Sequence, residues 1–570
     1  MHLAVARQRS LIDLLRDRAA TQAEDCAYTF LDDGETPGPS LTWRALEGRS
    51  RAIAAAITRR ADPGARVLVM FPPSLDFVPA FFGVLYAGAI AVPAYPPTGS
   101  RADCTIGRLR GMVSDAGVTL VLAPSSLIAR ASMLQVAIPE LSVATWLDPA
   151  TVQDDEADDW RLTPSDRDPI AFLQYTSGST SAPRGVTVSH GNLLHNLEQT
   201  HRQAGYDDDS VSLSWLPVNH DMGLINGVLQ PVFSGCPAHL MAPAAFLQRP
   251  ARWLHAISRL GATHSGGPNF AYDLCVRRVT EDDAAALDLG SWRVAYNGSE
   301  PVRRSTLESF QRTFGARGFR WESFSPAYGL AESTLLVASI PAGMAPVLRG
   351  DAVASGLLDG ESNVQIVDPS TLTQVAAGEV GEIWVSGRSV ASGYWNQHPD
   401  TVETFQARTA DGRGPFLRTG DLGFVENGCL FVTGRLKDVL IVRGMKHYPQ
   451  DLEATAERAH PAVRAGCCAA FALEAGDEEK IAIVAEIDVR EHPRGNAHDL
   501  SQVMASIRLA VASTHHVAPH SVALVSAGSI PKTTSGKLQR FLCRNALVDG
   551  AFQPIASWRE DGAPVERVAS

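Results

Sequence analysis

The stretch AFLQYTSGSTSAPRG, Ala171–Gly185, sets an apolar run, Ala171–Tyr175, directly against a polar loop of ten residues, Thr176–Gly185, five of which carry hydroxyls. An apolar strand feeding such a loop is the setting of a phosphate site. Backbone N–H groups and hydroxyls can cradle phosphate oxygens, Arg184 can add charge, and Gly178 and Gly185 permit a tight backbone. The loop is not G-x-x-x-x-G-K-[ST], so ordinary P-loop hydrolysis is not implied. A mere surface linker would waste the apolar strand in front of it.

Outward from this stretch, short apolar runs alternate with helical patterns. Arg66–Phe71, Val118–Ala123, Val211–Leu216, Trp292–Tyr296 and Glu382–Ser386 read as strands. Helical patterns start at Ser74 and span His190–Gln203, and Met1–Ala20 reads as an amphipathic helix. The alternation predicts an α/β fold with mostly parallel sheets covered by helices. Asp154–Trp160 (DDEADDW) reads as a solvated connection. The composition shifts near Gly434–Gly444. Beyond it the pattern predicts a small α+β domain, with a helix from Pro449, strands at Ala469–Leu473 and Ile481–Ile487, a helix from about Leu500, a final strand at Val522–Val525 and a helix over Lys537–Leu547.

The chain has 570 residues, 45% apolar and 20% charged, with a net charge of −12. This balance excludes disorder, collagen and coiled coil, and the acidity argues against a general nucleic-acid binder. The apolar stretch Phe77–Pro97 is broken by Pro79, Pro93 and glycines, so a buried helix and strand are expected, with no integral membrane segment. No signal-peptide h-region is seen. The eight Cys are scattered without metal-ligand spacing, which fits a reducing cytoplasm and not a zinc site. Of the 50 basic side chains only Lys437, Lys446, Lys480, Lys532 and Lys537 are lysines, an arginine bias that makes each retained Lys of interest.

Four further blocks follow the loop in order: Tyr328-Gly-Leu-Ala-Glu-Ser333, Thr419-Gly-Asp421, Gly434-Arg-Leu-Lys-Asp438 and Pro531-Lys-Thr-Thr-Ser-Gly-Lys537. Together the five resemble the signature of the adenylate-forming superfamily of acyl-CoA synthetases, luciferases and peptide-synthetase adenylation domains. The blocks His220–Pro231 (HDMGLINGVLQP), Gly266–Arg278, Asn297–Val302 (NGSEPV) and Arg443–Glu453 resemble the fatty acyl-AMP ligases within it. Two departures are Asn219, where those enzymes usually have Tyr, and Met445-Lys446 in place of Arg-Asn.

The resemblance implies a large adenylate-forming domain, 1–436, and a small mobile domain, 437–570, hinged at Lys437. It implies ATP and Mg²⁺ as cofactors and a fatty acid as substrate. The acyl group would pass to the phosphopantetheine thiol of an acyl carrier protein, or to a carrier domain of a polyketide or peptide synthase. The chain ends about 25 residues past Asn545, so the carrier is expected on a separate polypeptide. By the same resemblance Lys537, His220 and Arg435 are catalytic. Thr176, Ser177, Gly178, Ser179, Thr180, Arg184 and Gly185 hold phosphate; Tyr328 stacks on adenine with Asn297, Gly298, Ser299 and Glu300 beside it; Asp421 and Arg435 hold ribose; Gly329 and Lys537 also bind the nucleotide. Glu332 is the metal ligand, and Phe270 and Tyr272 line an acyl tunnel. Taken singly, each is an ordinary surface carboxylate, core aromatic or solvated charge; the motifs carry the assignment. Val337–Ser362 reads as an inserted loop against the large domain, which by resemblance disfavours free CoA as acceptor. A fatty acyl-CoA synthetase, or a non-enzymatic adenylate-binding protein of the same fold, are the alternatives.

Overall fold

The structure, a computed structural model, describes residues 10–97, 102–161, 168–176, 183–360, 362–442, 445–475, 478–487, 497–532 and 538–560. The chain divides into two compact units, Met1–Thr419 with Phe424–Val432, and Gly420–Gly423 with Thr433–Ser570.

Two large sheets organise the first unit among the described residues. One has six strands in the order Thr145–Leu147, Leu120–Leu122, Arg66–Met70, Ile90–Ala94, Ile170–Thr176 and Arg184–Ser189. Its pairings are parallel except the last. The other has eight strands and is parallel at its centre, where Val294–Asn297 lies between His264–Gly267 and Phe324–Gly329. Central strands such as Arg66–Met70 read as unbroken apolar runs because both of their faces are buried; Val67 to Met70 are all 0% exposed. The helix expected from Ser74 begins at Phe77 and runs to Tyr86, and the strand Ile90–Ala94 follows it. The amphipathic N-terminal helix is Leu11–Thr21, capped by Ser10, whose hydroxyl accepts from the Asp13 amide at 3.2 Å. Among the described residues, no helix is long and apolar enough to cross a membrane.

Three expectations are corrected. Asp154–Asp159 is not a free connection but a 3-10 turn that docks its acids on the helix Trp43–Thr58 and its end. Arg49 reaches Asp154 at 2.9 Å, Arg59 pairs with Glu156, and Trp160 donates from Nε1 to the Tyr86 carbonyl at 2.8 Å. Val337–Ser362 is not wholly a loop. Its first residues belong to the edge strand Leu336–Ser339, and Leu348–Arg349 pairs with Ala352–Val353 in a small hairpin. The backbone then runs beside the strand Cys429–Arg435: Ser355 N donates to Leu430 O at 2.7 Å, Leu430 N to Gly356 O at 2.9 Å, and Leu358 N to Gly428 O at 2.9 Å. Ile340 and Ala354 are buried with Phe424, Cys429 and Phe431. Third, Val522–Val525 is not the last strand, because Ala556–Arg559 adds another at the sheet edge.

The second unit is a four-stranded sheet, Val463–Ala475, Glu478–Ile487, Ser521–Ser526 and Ala556–Arg559, with a core on each face. The helices Pro449–Arg458 and Ala497–His515 supply one core, and Arg540–Val548 supplies the other.

Two buried histidines make the first unit acid-sensitive. His190 accepts from the Leu11 amide at Nδ1, and His264 donates from Nε2 to Ala204 O at 3.0 Å. Burial lowers each from 6.5 to about 4. Below pH 6.5 the unfolded chain binds protons that these folded sites do not, so stability is full above that value and declines as pH falls toward 4. The expected slope is about 1.4 kcal/mol per histidine per pH unit within this window. Urea midpoints that stay level between pH 7 and 5 would contradict it.

Candidate active site

Parallel strands end together at one edge of each sheet, and ligands of α/β folds bind beyond those carboxyl ends. In the eight-stranded sheet Gly267 is in register with Asn297, and Asn297 with Pro326. Asn297 is 0% exposed, and both polar atoms of its side chain are buried without a partner in the protein. Such atoms cost free energy unless something binds them. Around them the backbone is kept bare of side chains. A Cβ on Gly267 would lie 2.5 Å from the Trp215 ring, one on Gly298 2.8 Å from Ala327 O, and one on Gly329 would collide with Leu335 O. Ser299 takes φ +69°, a conformation that costs a non-glycine residue about 1–3 kcal/mol and clusters at functional sites.

The phosphate-loop candidate lies on the other sheet. Between it and the helix His190–Gln203 lies a strand, Arg184–Ser189, that the sequence did not announce. Thr176 pairs with Arg184 and Tyr175 with Gly185, so the loop closes a hairpin of two antiparallel strands, and only then does the helix His190–Gln203 begin, capped by Ser189. A Cβ at Gly185 would sit 2.8 Å from Tyr175 Cζ. Ser177, Gly178, Ser179 and Thr180 lie outside the described residues.

Several predicted residues are brought together. Glu332, in the 3-10 turn Ala331–Ser333, accepts a hydrogen bond from the Tyr394 hydroxyl at 2.8 Å. The Arg184 guanidinium lies over the Tyr394 ring, 5.3 Å from its centre, and pairs with Asp400 at 2.7 Å. His220 caps the short helix Asp221–Leu224, with Nδ1 2.7 Å from Asp221 Oδ1. Its neighbour Asn219 accepts at its carbonyl from Gln174 Nε2 at 3.0 Å, which ties this turn to the strand before the loop. Ser299 Oγ lies 3.7 Å from Met222 Sδ on that same helix.

Others stand apart. Glu300 turns to the N-terminus of the helix Asn269–Arg278 and accepts from the Phe270 amide at 2.6 Å, where a carboxylate suits the helix dipole. The Phe270 ring meets Trp215 edge-on at 6.2 Å. Tyr272 is 0% exposed among Trp253, Trp292, Phe310 and Phe324, and its hydroxyl donates to Tyr296 O at 2.6 Å, which is a core position. Tyr328 lies in the strand Phe324–Gly329 and is 8% exposed.

Asp421 and Arg435 fall in the second unit, where Arg435 Nε lies 3.1 Å from Asp421 Oδ1. Lys437 is exposed on the turn Leu436–Asp438. Lys537 lies outside the described residues. The sequence reading missed Tyr394, Asp400, Gln174 and Met222. The signal for Tyr394 was Ser392-Gly-Tyr-Trp395, a glycine beside two large aromatics shortly after a strand.

The family described as AMP-binding enzyme matches residues 15–395, and one described as Disco-interacting protein 2-like, AMP domain, matches 437–557. A medium-chain-fatty-acid–[acyl-carrier-protein] ligase of Moorena producens is 43% identical, with 95% of this chain and 96% of that protein covered. A long-chain-fatty-acid–AMP ligase of Mycobacterium tuberculosis is 37% identical, over 94% and 96%. A crystal structure of the fatty acyl-adenylate ligase of Legionella pneumophila in complex with acyl adenylate and pyrophosphate superposes with a TM-score of 0.74 at 37% identity, covering 98% of this chain and 99% of that one. With matches that run nearly end to end and a fold to accompany them, this chain belongs to the AMP-binding enzymes and, among them, to the fatty acyl-AMP ligases.

Proposed function

We propose that this protein joins a fatty acid to the α-phosphate of ATP, releasing pyrophosphate, and passes the acyl group from the resulting acyl-adenylate to the phosphopantetheine thiol of an acyl carrier protein. The observation that carries the reading is the pairing of Glu332 with Arg184 through Tyr394 at the base of the phosphate-loop hairpin. It supplies one anion and one cation where a nucleotide triphosphate would end. The fatty carboxylate is already a nucleophile at neutral pH, so no general base is needed. The protein's task is to hold two anions in line and offset the charge that develops. Thr176, Arg184 and the loop between them would take the β- and γ-phosphates. Asn297 would give its unpartnered polar atoms to the adenine, beside Tyr328, and Asp421 would accept from the ribose hydroxyls. His220 would face the carboxylate, and Lys537 would bring a cation from 437–570, the portion proposed to turn about Lys437.

Mg²⁺ fits this set. Among the described residues no group of three or more His, Cys, Asp or Glu side chains converges; of the carboxylates beside the loop, Asp400 pairs with Arg184, and Glu332 accepts from Tyr394. Mg²⁺ is commonly held by one or two carboxylates together with substrate phosphates. When bound, it would neutralise phosphate charge; Glu332 would hold it. The free cysteines and the acidic surface are in keeping with a cytoplasmic enzyme.

The test is acceptor choice. With labelled fatty acid and ATP, the intact protein is expected to load carrier protein and to form little acyl-CoA. Trimming the hairpin Leu348–Val353, while leaving the Ser355–Leu358 contacts in place, is expected to raise acyl-CoA formation without loss of pyrophosphate release. Efficient CoA use by the intact protein would move the reading to an acyl-CoA synthetase. An absence of pyrophosphate release with every fatty acid in a chain-length series would leave only nucleotide binding.

A further inference from the structure

The segment Ala391–Asp400 touches both halves of the proposed phosphate site. Its backbone pairs with Arg184–Ser189 through an isolated bridge: Val186 bridges to Tyr394, Trp395 N donates to Gly185 O at 2.7 Å, and Thr187 N donates to Gly393 O at 3.0 Å. On the other side Ala391 N donates to the Glu332 carbonyl at 2.9 Å. Tyr394 stands between the two. It is 8% exposed, its amide donates to Thr401 Oγ1 at 2.9 Å, and its ring packs edge-on against Phe405 at 5.1 Å. The ring therefore has little room to swing.

We propose that Tyr394 is the positioning residue of the phosphate and metal site, its hydroxyl fixing the Glu332 carboxylate and its ring face seating the Arg184 guanidinium. The inference rests on Glu332 as the Mg²⁺ ligand.

The chemistry suits the task. A buried tyrosine hydroxyl must find a partner, and here that partner is a carboxylate. A tyrosine hydroxyl keeps its proton at neutral pH, so toward the carboxylate it acts as the donor. One hydrogen bond to Oε1 sets the rotation of the carboxylate. Partners of this kind around a metal ligand typically change metal affinity by 10–100-fold when removed. The ring face attracts Arg184, and Asp400 holds the same guanidinium from another direction. A single side chain thus sets the distance between a cation for phosphate and an anion for metal. Phe at this position would keep the packing and the ring face and lose the hydroxyl that links to Glu332.

The test uses the full-length protein and Tyr394→Phe, Glu332→Gln and the double variant. ATP binding is followed by calorimetry across a Mg²⁺ series, alongside the Mg²⁺ dependence of pyrophosphate release. Tyr394→Phe is expected to need about 10-fold more Mg²⁺ for half-saturation. AMP binding without metal and the thermal midpoint should stay at wild-type values. In the Glu332→Gln background, Tyr394→Phe should add nothing further, since its hydroxyl acts through that carboxylate. A shift in Glu332→Gln alone overturns the role of Tyr394 and leaves the metal assignment standing. No shift in either variant overturns both. A lowered thermal midpoint with an unchanged Mg²⁺ profile makes Tyr394 a packing residue and overturns the proposal.

Discussion

Replacing Lys537 with Ala is expected to cut acyl-adenylate formation by roughly 10²–10³ while leaving transfer from preformed acyl-adenylate near its original rate. The reasoning is electrostatic. The attacking carboxylate and the α-phosphate are both anionic, and one positioned cation is worth most where charge accumulates in a water-poor site. Lys537 is the last lysine of an arginine-rich chain, in Pro531-Lys-Thr-Thr-Ser-Gly-Lys537, and it belongs to the portion proposed to move between the two half-reactions. A charge used in only one pose should matter to only one half-reaction. ATP–pyrophosphate exchange at the wild-type level in the variant removes the assignment. Equal loss in both half-reactions would make Lys537 a general structural requirement instead.

Arg540→Ala is expected to destabilise the second unit by about 3–5 kcal/mol. Arg540 grips Glu453 with two hydrogen bonds, Nε to Oε1 at 2.7 Å and Nη2 to Oε2 at 2.8 Å, and reaches Asp438 from Nη1 at 2.8 Å. Glu453 is 4% exposed and also accepts from the Ala470 amide at 3.0 Å. Removing the guanidinium strands a buried carboxylate, which costs far more than the pair itself contributes. Restoring neutrality with Glu453→Gln should return part of the loss, a pattern that simple loss of packing would not give. Denaturant unfolding of the full-length protein, with hydrogen exchange to locate the transition, reads this directly. A loss under 1 kcal/mol would mean that water reaches the site.

The parts of the fold written in short windows were legible. The helix His190–Gln203 begins behind a serine cap, and buried strands such as Arg66–Met70 show as apolar runs. The strand Arg184–Ser189 was hidden. Its valines alternate with Thr187, but Thr187 is itself buried and bonded to Gly393, so neither face shows as polar. The acids of Asp154–Asp159 looked solvated because their arginine partners lie about a hundred residues upstream. Within the site, the motifs placed Glu332 and Arg184 but could not show what joins them. The tyrosine that does so is 62 residues from Glu332, and a hydrogen bond across that distance leaves no trace in local pattern. Tyr272 teaches the converse. It sits in a recognisable block, yet its surroundings are those of a core residue.

The division of the chain at Val432 leaves all the side-chain amines on one side. Every lysine follows it, so the first unit is furnished with guanidinium groups and no side-chain amine. An acyl-adenylate is a mixed anhydride that amines open and guanidinium groups, charged at any working pH, do not. On the proposed reaction, the body around the activated acyl group offers it no lysine amine. Misdirected acylation of lysines would therefore collect on the five beyond, and mass spectrometry of protein incubated with fatty acid and ATP would read that leakage as amide marks on the smaller unit.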